Sequence, residues 1–301
     1  MNRSIELEKY TLKKGEPFSF NHGQVGLATL EIGGKAIPHL QTLDFPVSDP
    51  WSLHLRRSIA GLRARRVFNG TSVTELGIGD GRNIREVGSS VAGILGVDIE
   101  RWRVEVAALN LADYAAKLPI ELWVGDAISY LQELKGTGEN VSGWAIMCLP
   151  QSPEGINLAD RYDGASNLSA YRTDWEIAGL TLNAAVLDYL RQVADQTLRA
   201  LIILSDRIPE EIKHSLFVRT GWEVEQATRT PEPIQQDPDT GIAWVSRVDD
   251  GRRFFERIDG YFEPVTAFDA EQRRKVSLES GLGREVLNLY HHLTVYQLRP
   301  K

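Results

Sequence analysis

From residue 72 onward, short apolar runs alternate with longer amphipathic stretches. Runs at 72–77, 93–98, 120–124, 143–149 and 198–204 read as strands. The stretch 101–118, with Val104, Ala107, Ala108, Leu111 and Tyr114 on one side, reads as a helix. So does the stretch around 175–196, with Leu180, Leu182, Ala185, Leu187 and Leu190. Such βαβ alternation implies a mostly parallel sheet with right-handed crossovers. After residue 205 the pattern changes. Segments 221–225 and 242–245 read as a terminal antiparallel pair, 230–241 as loop, 252–290 as a helical insertion and 293–298 as a last strand. Upstream, Gly33-Gly34, Pro38, Pro46 and Pro50 break the first fifty residues into a β-rich or looped lead. Asp49-Pro50 then starts a helix with Trp51, Leu53, Leu55, Ile59 and Leu62 on its apolar side. The expected organisation is a lead or lid over 1–70 and an α/β domain over 71–301, with 252–290 inserted near its end.

The segment 73–83 combines the first strand, a glycine turn and a helix start. Gly77, Gly79 and Gly81 form the turn, Glu75 stands before it, and Asp98 closes the second strand. This pattern fits a nucleotide-like cofactor lying across the first two strands. A dinucleotide loop, Gly-x-Gly-x-x-Gly, would need its third glycine at Arg82, whereas it falls at Gly81. Glu75 and Asp80 would also repel a pyrophosphate. The same carboxylates suit the ammonium and sulfonium of S-adenosylmethionine (SAM). The fold class expected is therefore α/β, a Rossmann-like class I SAM-dependent methyltransferase with a terminal antiparallel strand. Glu75 is expected to bind the amino end of SAM directly or through water, Asp98 the ribose hydroxyls, and Ile99 the adenine face. Asp126, followed by Ala127 at the end of the third strand, would stand near the adenine amino group. Asn83 either caps the helix or contacts the cofactor.

Composition narrows the remaining classes. The chain has 301 residues, 42% of them apolar, enough for one large or two modest domains. A single cysteine, Cys148, excludes an internal disulfide and a cysteine-based zinc site. The six histidines are not spaced as metal ligands on a helix, and no metal is expected. No apolar run reaches the length of a membrane span, and the first residues lack a signal-peptide core, so a soluble cytoplasmic protein is expected without membrane association. The net charge of −7 argues against a nucleic-acid substrate. Arg56, Arg57, Arg63, Arg65 and Arg66 are a local exception, a solvated helix face before an anion patch.

After the fourth strand comes Cys148-Leu149-Pro150-Gln151. Class I enzymes that methylate planar nitrogens often carry Asn-Pro-Pro-Tyr or Asp-Pro-Pro-Tyr there, whose side-chain oxygen accepts from the target NH2. Cys148 cannot play that part, which turns the expectation away from amide or amine nitrogen. The chain resembles methionine S-methyltransferases, in particular the short single-domain bacterial form that opens one route to dimethylsulfoniopropionate. The likeness is carried by Asp49-Pro50-Trp51-Ser52, by Cys148-Leu149-Pro150-Gln151 against the family's Cys-Ile-Pro-Gln, and by Leu168-Ser169-Ala170-Tyr171. It continues through Asp239-Thr240-Gly241-Ile242, Arg253-Phe254-Phe255, Gly283-Arg284 and Gln297-Leu298-Arg299-Pro300, so that it spans about residues 36–300.

The resemblance implies methyl transfer from SAM to the thioether of free L-methionine, giving S-methylmethionine and S-adenosylhomocysteine. A thioether has no proton to lose, so no general base is required. Pro150, Gln151 and Tyr171 are the expected catalytic positions. Trp51, Tyr171 and Trp175 are candidate aromatic faces for the sulfonium, each also a candidate core residue. Arg253 and Arg284 are candidates for the methionine carboxylate, and Asp174 or Glu154 for its ammonium. A homo-oligomer is expected. The alternative reading is an N-methyltransferase acting on a glutamine side chain or a small amine. A SAM-binding regulator without activity comes next, and a nucleic-acid methyltransferase last.

Overall fold

The computed structural model describes residues 7–10, 25–43, 46–149, 151, 179–235, 254–280 and 287–301. Its centre is an eight-stranded sheet. Four strands alternate with helices in the expected way: β4 (Ser72–Leu76), β5 (Gly93–Asp98), β6 (Ile120–Val124) and β7 (Trp144–Met147). β8 (Arg199–Ser205) continues them, and the neighbouring pairs β6–β5, β5–β4, β4–β7 and β7–β8 are all parallel. Chain order and spatial order part company at β4, whose neighbours are β5 on one side and β7 on the other. That reversal opens a crevice at the carboxyl ends of the strands, where ligands bind in open α/β sheets.

The central strands are buried on both faces, their successive side chains pointing to opposite sides. Val73, Ile94, Trp144, Ile146 and Ile203 pack in one core with α1 (Pro50–Ala64), α2 (Arg82–Val87) and α3 (Arg101–Asn110). Leu76, Val97, Met147, Ile202 and Leu204 pack in the other with α5 (Ala127–Thr137), α6 (Thr181–Val193) and α7 (Glu210–Arg219). The Rossmann-like α/β class expected from the sequence is the one observed.

Some elements differ from the expectation. The stretch expected as one helix over 101–118 breaks at Leu111, and α4 (Ala112–Ala115) is a separate turn. The partner of β9 (Trp222–Arg229) is β14 (Leu293–Pro300), which lies antiparallel between β8 and β9. The segment 242–245, expected as that partner, lies outside the described residues. The insertion is not wholly helical. It contains the hairpin β11 (Phe254–Ile258) and β12 (Tyr261–Val265) before α8 (Ala267–Ser280). With β10 (Ile234–Gln235) and β13 (Tyr290–His291) the hairpin makes a four-stranded sheet. At the amino end, β1 (Glu8–Tyr10) adds an antiparallel edge beside β6. A second hairpin, β2 (Val25–Ile32) and β3 (Lys35–Thr42), turns at Gly33-Gly34, both with positive φ. Two successive positive-φ residues are what a tight hairpin turn requires.

Candidate cofactor and substrate site

The glycine turn follows β4 and sits over the end of β5. Gly77 and Ile78 donate their amides to the carbonyl of Val97 at 2.8 and 2.9 Å, which ties the loop to the neighbouring strand. Gly77, Gly79 and Gly81 have φ of 83°, 55° and 79°. These values lie in the left-handed region that residues with a Cβ avoid. A methyl group placed on Gly79 would meet nothing within 4 Å, so the turn presents bare backbone to open space. One on Gly81 would touch Ala107 at 3.4 Å, so that glycine serves the packing of α2 on α3.

Asp98 lies at the rim of this space. Its carboxylate accepts from the Gly79 amide at 2.9 Å and the Glu100 amide at 3.1 Å. Burial raises its pKa, while those two amides pull the other way. Ile99, next along, is half-buried. Asp126 is the N-cap of α5 and accepts from the amides of Ile128 and Ser129 at 3.0 and 2.9 Å and from the Ser129 hydroxyl. Ala127 follows as the first residue of that helix.

Glu75 is fully buried beneath the turn. Its Oε1 accepts from Asn83 Nδ2 at 2.7 Å; Gly81 occupies the N-cap position of α2, so Asn83 is not the cap. Glu75 Oε2 and Asn83 Oδ1 are buried and take no hydrogen bond among the described residues. Burial holds the Glu75 carboxyl well above the usual carboxylate range; Asn83 opposes this, and the charges of Asp80 and Asp98 add to it. Asn83 Oδ1 is a buried acceptor without a donor, and Glu75 becomes one when a ligand cation favours its charged form, so the pair fits a ligand that brings positive charge and donors, such as an ammonium group.

Asp80 behaves otherwise than the sequence led us to expect. It does not stand as a free anion at the cofactor. Arg82 Nε donates to it at 2.8 Å, Arg82 Nη2 pairs with its other oxygen, and His39 Nε2 lies 3.3 Å away. Burial pushes the Asp80 carboxyl up, but hydrogen bonds and charge from His39 and Arg82 outweigh it and hold it at about 2. The lead supplies His39, from β3, and α2 supplies Arg82. Asn110 bridges β3 to the turn: Nδ2 donates to the carbonyls of Leu40 and Asp80, each at 2.8 Å, and Oδ1 accepts from the Leu40 amide at 2.9 Å. Arg82 Nη1 reaches the Pro46 carbonyl at 2.6 Å, and Arg56 Nη2 the Val47 carbonyl at 3.2 Å. The sequence did not mark His39 or Asn110 as site residues, because their partners lie far away in the chain, and Arg82, two residues from Asp80, read only as part of the helix start.

At the ends of β7 and β8 a second polar group gathers. The Gln151 side chain spans to β8, donating to the Ile203 carbonyl at 2.9 Å and accepting from the Ser205 amide at 3.2 Å. Ser205 Oγ accepts from Arg207 N and Nε at 3.1 and 2.9 Å and lies 3.0 Å from His291 Nδ1. Trp51, half-buried on α1, places its ring 6.3 Å from that of His291. Burial first, with the charge of Arg207 second, drops the His291 pKa to about 3. Cys148 lies between the two groups. Burial, with the charges of Asp49 and Glu75, pushes its thiol up to about 12. Pro150, Tyr171, Asp174, Trp175, Arg253, Arg284 and Glu154 lie outside the described residues. Among the described residues no group of three or more His, Cys, Asp or Glu is placed to hold a metal, and no helix is long and apolar enough to cross a membrane.

No protein-family model matches the chain, and no curated protein matches it in sequence. Among solved structures the fold is similar to a SAM-dependent methyltransferase from Agrobacterium tumefaciens, with a TM-score of 0.49 and 14% identity over 95% of this chain and 72% of that one. It is similar to a TehB-like SAM-dependent methyltransferase from Corynebacterium glutamicum, with a TM-score of 0.41 and 12% identity over 81% and 87% of the two chains. A third is aTrm5 in complex with tRNALeu, with a TM-score of 0.45 and 11% identity over 91% of this chain and 53% of that one. Likenesses at this level decide nothing about a substrate.

Proposed function

We propose that this protein is a SAM-dependent methyltransferase, and that it methylates the thioether sulfur of free L-methionine to S-methylmethionine. The observation that carries the cofactor reading is the pair of buried, undonated oxygens, Glu75 Oε2 and Asn83 Oδ1, beside the open backbone at Gly79 and the Asp98 carboxylate. These residues offer acceptors for an ammonium and for ribose hydroxyls, and a surface without side chain against which a ligand can lie. SAM would supply the methyl group, leaving as S-adenosylhomocysteine.

The substrate reading rests on the motif resemblance and on the chemistry at Cys148. The position that in planar-nitrogen enzymes carries a hydrogen-bond acceptor holds here a half-buried thiol kept protonated. Sulfur attack on a methyl carbon needs no proton removed, so the protein's part is to align the sulfur and exclude water. Gln151 fits a positioning role in this scheme, since both polar atoms of its amide hold β7 and β8 together.

Purified protein incubated with SAM and L-methionine, glutamine, glycine and a release-factor peptide, read by mass spectrometry, tests the reading. S-methylmethionine accumulating in step with S-adenosylhomocysteine is expected. SAM binding without any methionine product would sink the substrate assignment and leave the cofactor site standing.

A further inference from the structure

The sequence offered Arg253 and Arg284 for a substrate carboxylate. The fold puts another arginine at the carboxyl ends of the central strands. Arg207 is 6% exposed, and its neighbours Ser205 and His291 are 0% and 2% exposed. Two of its nitrogens, the backbone amide and Nε, converge on Ser205 Oγ. This fixes both the start and the plane of the guanidinium. Ser205 is itself held from β7 by Gln151, and Trp51 closes over His291 from α1. The result is a rigid ledge at the end of β8, separated by β7 from β4, whose own end carries the glycine turn.

The adjacent carboxylate is engaged elsewhere. Asp206 accepts from Lys213 Nζ at 3.0 Å and Thr294 Oγ1 at 2.7 Å, and pairs with Arg229 Nε at 2.7 Å. The group around Arg207 is therefore a cation, a hydroxyl and an imidazole that burial keeps neutral. A guanidinium with its plane fixed suits a planar carboxylate, which it can meet through two parallel hydrogen bonds. Arg207 has a further partner besides those named, which a substrate anion would share or displace.

We propose that Arg207, oriented by Ser205, binds the carboxylate of the substrate on this ledge, so that the substrate class is a small carboxylate-bearing molecule. The proposal rests on the methyltransferase reading and deepens it. L-methionine is one member of that class.

The test is calorimetric titration of the protein loaded with S-adenosylhomocysteine. The titrants are L-methionine and methionine amide, glutamine and glycine, and inorganic phosphate as a non-planar anion. Wild type is expected to prefer a carboxylate ligand over its amide by about 10- to 100-fold, the range of a lost charge-assisted hydrogen bond. Arg207→Met should abolish that preference and leave the affinity for S-adenosylhomocysteine unchanged. Arg207→Lys keeps the charge and loses the fork, so it should retain only part of the preference; it also serves if Arg207→Met does not fold. Full preference in a folded Arg207 variant would overturn the proposal. So would phosphate binding as tightly as carboxylate, or none of the carboxylates binding wild type. Binding of another carboxylate but not of methionine would sink the methionine substrate and keep the ledge.

Discussion

Gly79→Ala separates the cost of folding from the cost of binding. Gly79 has φ of 55°, and its added methyl would meet nothing within 4 Å. The folded protein would therefore pay only for the left-handed backbone. That is about 1 kcal/mol, after the stiffer unfolded chain returns a few tenths. In a chain of this size the melting temperature should fall by about 2–4 °C. If the cofactor lies against the bare backbone of the turn, the same methyl overpacks the contact at about 1–3 kcal/mol, or about 5- to 150-fold in affinity. Gly96→Ala is the contrast. Its methyl would collide with Ile78 Cδ1 and sit 2.9 Å from Leu122 Cδ2, inside the core. That variant should lose much more melting temperature than Gly79→Ala does. Scanning fluorimetry and isothermal titration with SAM give both quantities on one sample. A Gly79→Ala protein that binds SAM as wild type would refute the placement of the cofactor against this turn.

Three further outcomes follow from the same geometry. Asp98→Ala should weaken SAM by about 2 kcal/mol in calorimetry, and unchanged affinity would show that the ribose assignment is wrong. Glu75 has a folded pKa above its ordinary 4.5, so its contribution to stability is full below that pH and is lost as pH rises through the folded value. Glu75→Gln should therefore gain melting temperature on wild type as the pH is raised above 4.5, and parallel curves would show that the buried carboxyl is not held protonated. Asn110→Ala removes three hydrogen bonds between β3, α3 and the glycine turn, and should cost about 2–4 kcal/mol in chemical denaturation; a loss below about 0.5 kcal/mol would mean that the lead is not fastened there.

The central strands were legible because each is a short apolar run, as strands buried on both faces must be. The glycine turn was legible because its φ values admit little else. The hairpins were not. Gly33-Gly34 and Asp259-Gly260 are tight turns with two positive-φ residues, but the first was read as a break in a loose lead and the second was absorbed into a helical insertion. β1 has only three residues, too few for any period to show. The charge balance of the turn was misjudged for another reason. Asp80 reads as an anion in the sequence; only the fold brings His39 against it, and the start of α2 turns the nearby Arg82 back onto it. Ser205, Arg207 and His291 were not legible as a group either, since an imidazole 86 residues from the hydroxyl it meets carries no pattern.

β14 also bears on the order in which the molecule assembles. It is the last strand to leave the ribosome among those described, yet it lies inside the sheet, with β8 on one side and β9 on the other. Its pairings, Leu293 with Ser205 and Pro300 with Trp222, close large loops and so form late. Until they form, β9 has no partner in the main sheet, and the open edge of β8 is exposed to pairing with other chains. A nascent chain arrested before Leu293 would thus carry a sheet with a vacant slot rather than a smaller finished one, and that intermediate is the form a chaperone would need to shield.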